Sequence, residues 1–240
     1  VPYVSSKGFS QEVVANLAKD KIVVLLSIIS IFPAHILSLF IAWGVVTNFG
    51  KRSFWKTLGI GWSSRLALKG SVAIAIVLFF VGAFLSWAIK GEETDIDLMI
   101  KSSTAARVSL ALLAVTTGPF VEEVIYRGVL YSGLRKVLGT HWAVFIVSLL
   151  FTLVHVAQYK NNIGVITAVA VLSVVLTLVR AHTGRLLPCI VIHTVFNGIT
   201  SVLIVLQPYL EKVQPSAEQP PVGFLILYRT TRAFVAAHGF

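Results

Sequence analysis

Six side chains in the middle and late parts of the chain are of types that can do chemistry together. They are Glu122, Glu123 and Arg127 in one apolar stretch, His155 in the next, and His193 with Asn197 in a third. A carboxylate, two imidazoles and an amide are what water activation needs. A carboxylate buried among apolar groups is a better base than one in water. A histidine can share the water or pass a proton to a leaving amine. His193 and Asn197 can donate hydrogen bonds to a developing oxyanion, worth about 2.7–4 kcal/mol per donor in a soluble protease. Spacing divides the set. Glu123 and Arg127 are four apart and can pair on one helix face, leaving Glu122 turned about 100° away toward the histidines. Tyr126 is four from Glu122 and can reach its carboxylate. Phe151 shares a face with His155, and His193 shares one with Asn197. The chain has no Gly-x-Ser-x-Gly and no Ser-His-Asp order, and Cys189, its one cysteine, reads as a packed thiol in an apolar helix. Glu122, His155 and His193 would also supply the three oxygen and nitrogen ligands of an open zinc site. They lie 33 and 38 residues apart without a His-Glu-x-x-His, so water activation without a cofactor is preferred and a divalent metal such as zinc stays open.

The elements that must position these groups are membrane helices. Of 240 residues, 56% are apolar and 12% charged, against roughly 25% charged in soluble domains. Lys69 to Lys90 encloses twenty uncharged residues and Lys160 to Arg180 nineteen. Lys21–Lys51, Lys136–Lys160 and Arg185–Glu211 hold no charge besides histidines. About 20 apolar residues cross about 30 Å of hydrocarbon, so the reading is an all-α polytopic membrane protein of about six transmembrane helices with a four-helix catalytic core. The spans are expected at about 21–47 with a kink at Pro33, 70–88, 103–136 with a bend at Gly118-Pro119, 141–158, 162–181 and 187–206. Measured from its basic end at about 1.5 Å per residue, Glu122 lies about 21 Å deep, His155 about 21 Å, His193 about 12 Å and Asn197 about 18 Å. Such agreement suggests one polar chamber. His35, His141 and His182 have no such company and read as structural or interfacial.

The net charge of +10 marks loops rather than nucleic-acid affinity, because Lys and Arg gather on the cytoplasmic side of membrane proteins. Lys51, Arg52, Lys56, Arg65 and Lys69 form one acid-free loop, while Glu92, Glu93, Asp95 and Asp97 mark another. The first is expected inside and the second outside. Trp43, Trp55, Trp62, Trp87 and Trp142 fall near span ends, as interfacial aromatics do. Residues 1–20 read as a short surface segment with no cleavable signal.

Three motifs, in order, carry a resemblance. Glu122-Glu123-Val-Ile-Tyr-Arg127 is EExxxR, Phe151-Thr-Leu-Val-His155 is FxxxH, and His193-Thr-Val-Phe-Asn197 is HxxxN. Over about residues 103–206 the chain resembles the CPBP family of CAAX proteases and bacteriocin-processing enzymes (Abi). The resemblance implies an α-helical intramembrane endopeptidase in a multi-pass bacterial plasma membrane or its equivalent, with a membrane-associated peptide or protein as substrate, prenylated CAAX substrates among the options. It implies that Glu122 and His155 activate the water, that His193 and Asn197 form the oxyanion site, and that Glu123 and Arg127 support the first helix. Residues 1–102 would form an N-terminal tail with two spans, 103–206 the catalytic core, and 207–240 a tail, partly interfacial. The competing function is a non-catalytic membrane partner, such as a bacteriocin-immunity or scaffold protein. A transporter would spread its charges along a path, and here they gather at one depth.

Overall fold

The computed structural model describes residues 20–89 and 91–213, the last three by backbone alone. The surface segment expected before residue 20 and the tail beyond 213 lie outside the described residues. Among the described residues every extended element is a helix, apart from a single bridge between Ser63 and Leu66.

The first pass is α1 (Lys21–Ile29) and α2 (Ile31–Thr47). Asp20 caps α1 by accepting the Ile22 and Val23 N–H groups at 2.8 and 3.3 Å. The break at Ser30 follows from Pro33, which has no N–H to offer the carbonyl of Ile29. A short α3 (Phe54–Leu58) lies in the basic connection, and α4 (Leu68–Ala88) makes the second pass. The acidic connection folds into α5 (Asp95–Ser102), capped by reciprocal Thr94–Asp97 hydrogen bonds.

Next come α6 (Thr104–Val115), α7 (Thr117–Glu123), a π-helical turn (Val124–Leu130) and α8 (Tyr131–Tyr159). Straight, the 56 residues from Thr104 to Tyr159 would run about 84 Å, nearly three times the hydrocarbon thickness. They do not run straight. Gly139 adopts φ 78°, ψ 176°, a conformation open only to glycine. The chain doubles back there, so that Tyr126 and Phe151 meet with ring centroids 5.0 Å apart. Among the described residues five helical stretches are long and apolar enough to span a membrane, and one of them doubles back on itself. The two helices expected on either side of residues 137–140 are therefore found. The bend expected at Gly118-Pro119 falls earlier, at Thr116 (φ −102°, ψ −88°), because Pro119 denies a hydrogen bond to the carbonyl of Val115 and the helix breaks on the proline's N-terminal side. The chain closes with α9 (Ile163–Thr183) and α10 (Leu187–Val213). Thus α10 runs on past Leu206, where the sixth span was expected to end.

Charge separates the ends of the bundle. At one end Lys101 pairs with Glu93, and Lys160 lies 3.6 Å from Asp95. The other end holds the connection 48–67, the Gly139 turn and residues 184–186. The apolar core lies where α4, α9 and α10 meet, around Ala75, Leu78, Leu172, Leu176, Cys189 and Ile192. Cys189 is buried there, as expected of a packed thiol. Ile36, Phe40, Phe80, Phe84, Phe145 and Leu153 face outward, so the chain keeps its polar groups inside and its apolar ones toward lipid.

Helix α9 approaches α4 so closely at Gly164 that a Cβ there would fall on the Ile89 carbonyl oxygen and lie 2.9 Å from Ser86 Cα. Backbone cannot yield as a side chain can. Gly164→Ala is expected to cost about 1–3 kcal/mol. Gly133→Ala, where a Cβ meets nothing within 4 Å, should be neutral or gain up to about 1 kcal/mol. Thermal unfolding in detergent checks both.

Candidate active site

Glu123 and Arg127 are fully buried, at 0% side-chain exposure each, with Arg127 Nη1 donating to Glu123 Oε1 at 2.9 Å. Arg127 Nη2 donates to the carbonyl and hydroxyl oxygens of Ser173 at 3.0 and 2.9 Å, and Nε to Thr177 Oγ1 at 3.2 Å. Its guanidinium carbon sits 4.6 Å from the centre of the Phe151 ring. One cation therefore ties the π-helical turn to α8 and α9. The wide turn is pressed by Leu58, whose Cδ2 would stand 2.7 Å from a Cβ on Gly128. Ser173 and Thr177 were not singled out from the sequence. Their signal was faint: two hydroxyls four residues apart in an uncharged span.

His193 is held between the two glutamates. Its Nδ1 lies 2.8 Å from Glu123 Oε1, and its Nε2 lies 3.8 Å from Glu122 Oε2. The reading in which Glu123 serves Arg127 alone is thereby corrected: one carboxylate oxygen accepts from both Arg127 and His193, since helices α7 and α10 cross at this point. Glu123 Oε2 is buried without a hydrogen-bond partner. Glu122 is different in kind. Its side chain is 30% exposed, and its Oε1 lies 3.9 Å from where a Cβ on Gly118 would stand. Among the described residues its carboxylate accepts no hydrogen bond within normal range.

His155 Nδ1 lies 2.7 Å from the Phe151 carbonyl. A carbonyl can only accept, so Nδ1 carries the hydrogen and Nε2 of the neutral ring is bare. Phe151 bridges the two histidines, with its ring centre 4.5 Å from that of His155 and 5.9 Å from that of His193. Tyr126 packs edge-on against Phe151, and the hydrogen bond its spacing allowed to Glu122 is not among those formed by the described residues. Asn197 Nδ2 donates to the Ala114 carbonyl at 2.9 Å, a group beside the break at Thr116. That leaves the second amide hydrogen and the amide oxygen.

His35, read as lacking company, has it. Its Nδ1 lies 3.0 Å from Thr117 Oγ1. Only tertiary contact between α2 and α7 places it there, and no sequence spacing could have found it.

Anchoring both rings through Nδ1 is also how metal-bound histidines are held. Yet no three His, Cys, Asp or Glu side chains converge as a ligand set among the described residues. Glu122, His155 and His193 as placed do not fit a tightly held metal.

Fold and site together define an all-α integral membrane protein with a buried Glu123–Arg127–His193 cluster between its helices and Glu122 partly open beside it. Residues 104–199 match the family described as type II CAAX prenyl endopeptidase Rce1-like. Over that stretch, from α6 into α10, the chain is similar to the CAAX protease family. The match supports a CAAX-type intramembrane protease in general. Comparison with the curated proteins and with the solved structures gives no match.

Arg127 has no spare donor geometry that lysine could copy, because its fork serves Glu123, Ser173 and Thr177 at once. Arg127→Met leaves Glu123 buried and uncompensated and is expected to cost about 3–5 kcal/mol. Arg127→Lys should recover only part of this. Unfolding temperature and recovery of monodisperse protein from detergent are the readouts.

Proposed function

We propose that this chain is an intramembrane endopeptidase that hydrolyses a peptide bond of a membrane-associated substrate with water activated by Glu122 and His155. The observation that carries the reading is the setting of His193, anchored on Glu123 by Nδ1 and facing Glu122 with Nε2. In the reacting state His193 also carries a hydrogen on Nε2, so that Nε2 is a donor, and Glu122 is a carboxylate 3.8 Å away.

The reaction follows from this state. Glu122 takes a proton from water as the water oxygen bonds to the scissile carbonyl carbon, and His155 Nε2 accepts the water's other hydrogen bond. The carbonyl oxygen becomes an oxyanion, which accepts from His193 Nε2–H and the second amide hydrogen of Asn197. Collapse restores the carbonyl and breaks the C–N bond. The proton held by Glu122 then passes to the leaving amine. One water is consumed and two peptides are released. Glu123, Arg127, Tyr126 and Phe151 act through these groups by holding His193 and His155 in place. The family's description names prenyl endopeptidases, so a prenylated CAAX-type peptide is the first substrate to offer and the unprenylated peptide the second.

Purified protein in detergent, given both peptides with and without a strong chelator, tests the assignment. Glu122→Gln and His155→Ala should each lower kcat by about 10²–10⁴, and Asn197→Ala by about 10²–10³, with the fold retained. The chelator should leave cleavage unchanged. Loss with chelator and rescue by zinc would make the same residues a metal site. Cleavage undiminished in Glu122→Gln would sink the proposal and return weight to a non-catalytic membrane partner.

A further inference from the structure

At the basic end of the bundle, away from the glutamate–histidine cluster, lies a cavity of about 410 Å³. Arg65, Arg135 and Arg185 line it, together with Trp62, Ser64 and His182. We propose that this cavity binds the phosphate of an anionic phospholipid headgroup.

Three observations carry the proposal. First, the positive charge is uncompensated. Among the described residues the acidic ones are Asp20, Glu92, Glu93, Asp95, Asp97 and Glu211 (near the end of α10), at the other end of the bundle, and Glu122 and Glu123, within it. A topology signal needs basic residues in a loop, but it does not need three of them, from two connections and the first turns of α8, around one cavity. Second, the walls are fixed while the ligating groups are free. Arg65 Nη1 donates to the His182 carbonyl at 2.8 Å, Leu186 N–H to the Gly59 carbonyl at 3.1 Å, and Arg180 beneath to Gly184 and Ser132 at 3.1 and 3.4 Å. The guanidiniums of Arg135 and Arg185 have no protein acceptor among the described residues. Arginine forks match phosphate oxygens in pairs, which lysines do not. Third, the cavity lies at the ends of the spanning helices α4, α9 and α10, beside the exposed apolar groups Leu68, Leu138 and Trp142. That is headgroup level, with lipid chains alongside, and basic pockets between membrane helices are where anionic headgroups bind. Arg185 precedes His193 by eight residues, about 12 Å along a helix, so the lipid does not touch the glutamate–histidine cluster. The proposal is therefore independent of the peptidase reading.

The test is native mass spectrometry of the full chain in detergent, titrated with phosphatidylglycerol or with phosphatidylcholine of the same acyl chains. Wild type should retain phosphatidylglycerol with at least about a tenfold preference. The triple variant Arg65→Gln/Arg135→Gln/Arg185→Gln should lose that preference. The variant Lys51→Gln/Arg52→Gln/Lys56→Gln removes the same charge outside the cavity and should keep it. Equal loss in both triples reduces the feature to diffuse surface charge and overturns the proposal, as does equal retention of the two lipids by wild type. Excess inorganic phosphate that strips the bound lipid assigns the cavity to free phosphate and overturns the lipid identity; lipid retained under that competition supports it. Thermal unfolding reports whether the first triple folds. If it does not, Arg135→Gln alone, which breaks no protein hydrogen bond, should still weaken binding severalfold, and unchanged binding in that variant also counts against the proposal.

Discussion

A guanidinium placed inside a membrane bundle must be fully paired or it will not stay there. Insertion of such a charge costs about 2.5–3.5 kcal/mol on translocon scales, and Arg127 is fully buried. Its pairing is extensive: a carboxylate, two hydroxyls and a carbonyl accept four hydrogen bonds from it, and an aromatic face lies against its plane. Each partner comes with a geometric demand. Ser173 and Thr177 fix the rotation of α9, Phe151 fixes the return leg of α8, and Glu123 fixes the turn on which Glu122 also stands. The site is organised by this cation before any reacting group is considered.

From that constraint the tautomers of both histidines follow. Glu123 Oε1 accepts from Arg127 and faces His193 Nδ1 at 2.8 Å, so His193 offers it Nδ1–H. Phe151, held against Arg127, offers its carbonyl to His155 and imposes the same choice. Both rings therefore turn Nε2 away from their anchors. Glu122 is the contrasting element. It is next in sequence to Glu123, yet it stands partly open and lacks a hydrogen-bonded partner. Adjacent carboxylates on one helix acquire different environments because one helical step rotates a side chain by about 100°.

Much of this was legible in the sequence. Uncharged stretches gave the order of the apolar helices, and counting residues from the basic ends brought Glu122, His155 and Asn197 to similar depths. The Glu123–Arg127 spacing announced an ion pair that the structure contains. What stayed hidden required contacts between distant segments. The π-helical turn is set partly by Leu58 pressing on Gly128, and periodicity rules assume a regular helix. The second bond of Glu123, to His193, spans 70 residues. The hydroxyls of Ser173 and Thr177 resemble any others in an apolar span until a guanidinium is brought to them. The helix break was foreseen from Pro119, but its position at Thr116 depends on which carbonyl loses its donor rather than on the proline itself.

His35 shows that the family stretch does not enclose its own site. The match covers residues 104–199, yet α2 supplies an imidazole to Thr117, one turn and a residue before Glu122 on the same helix. Leu58 braces the π-helical turn from the basic connection, and α4 closes on Gly164. A carboxylate that is 30% exposed takes its dielectric surroundings from whatever forms the remaining wall. Here that wall includes α2, so the electrostatic setting of Glu122 depends on residues with no family motif. Two chains sharing all three motifs then differ around this carboxylate wherever their first passes place different groups opposite Thr117.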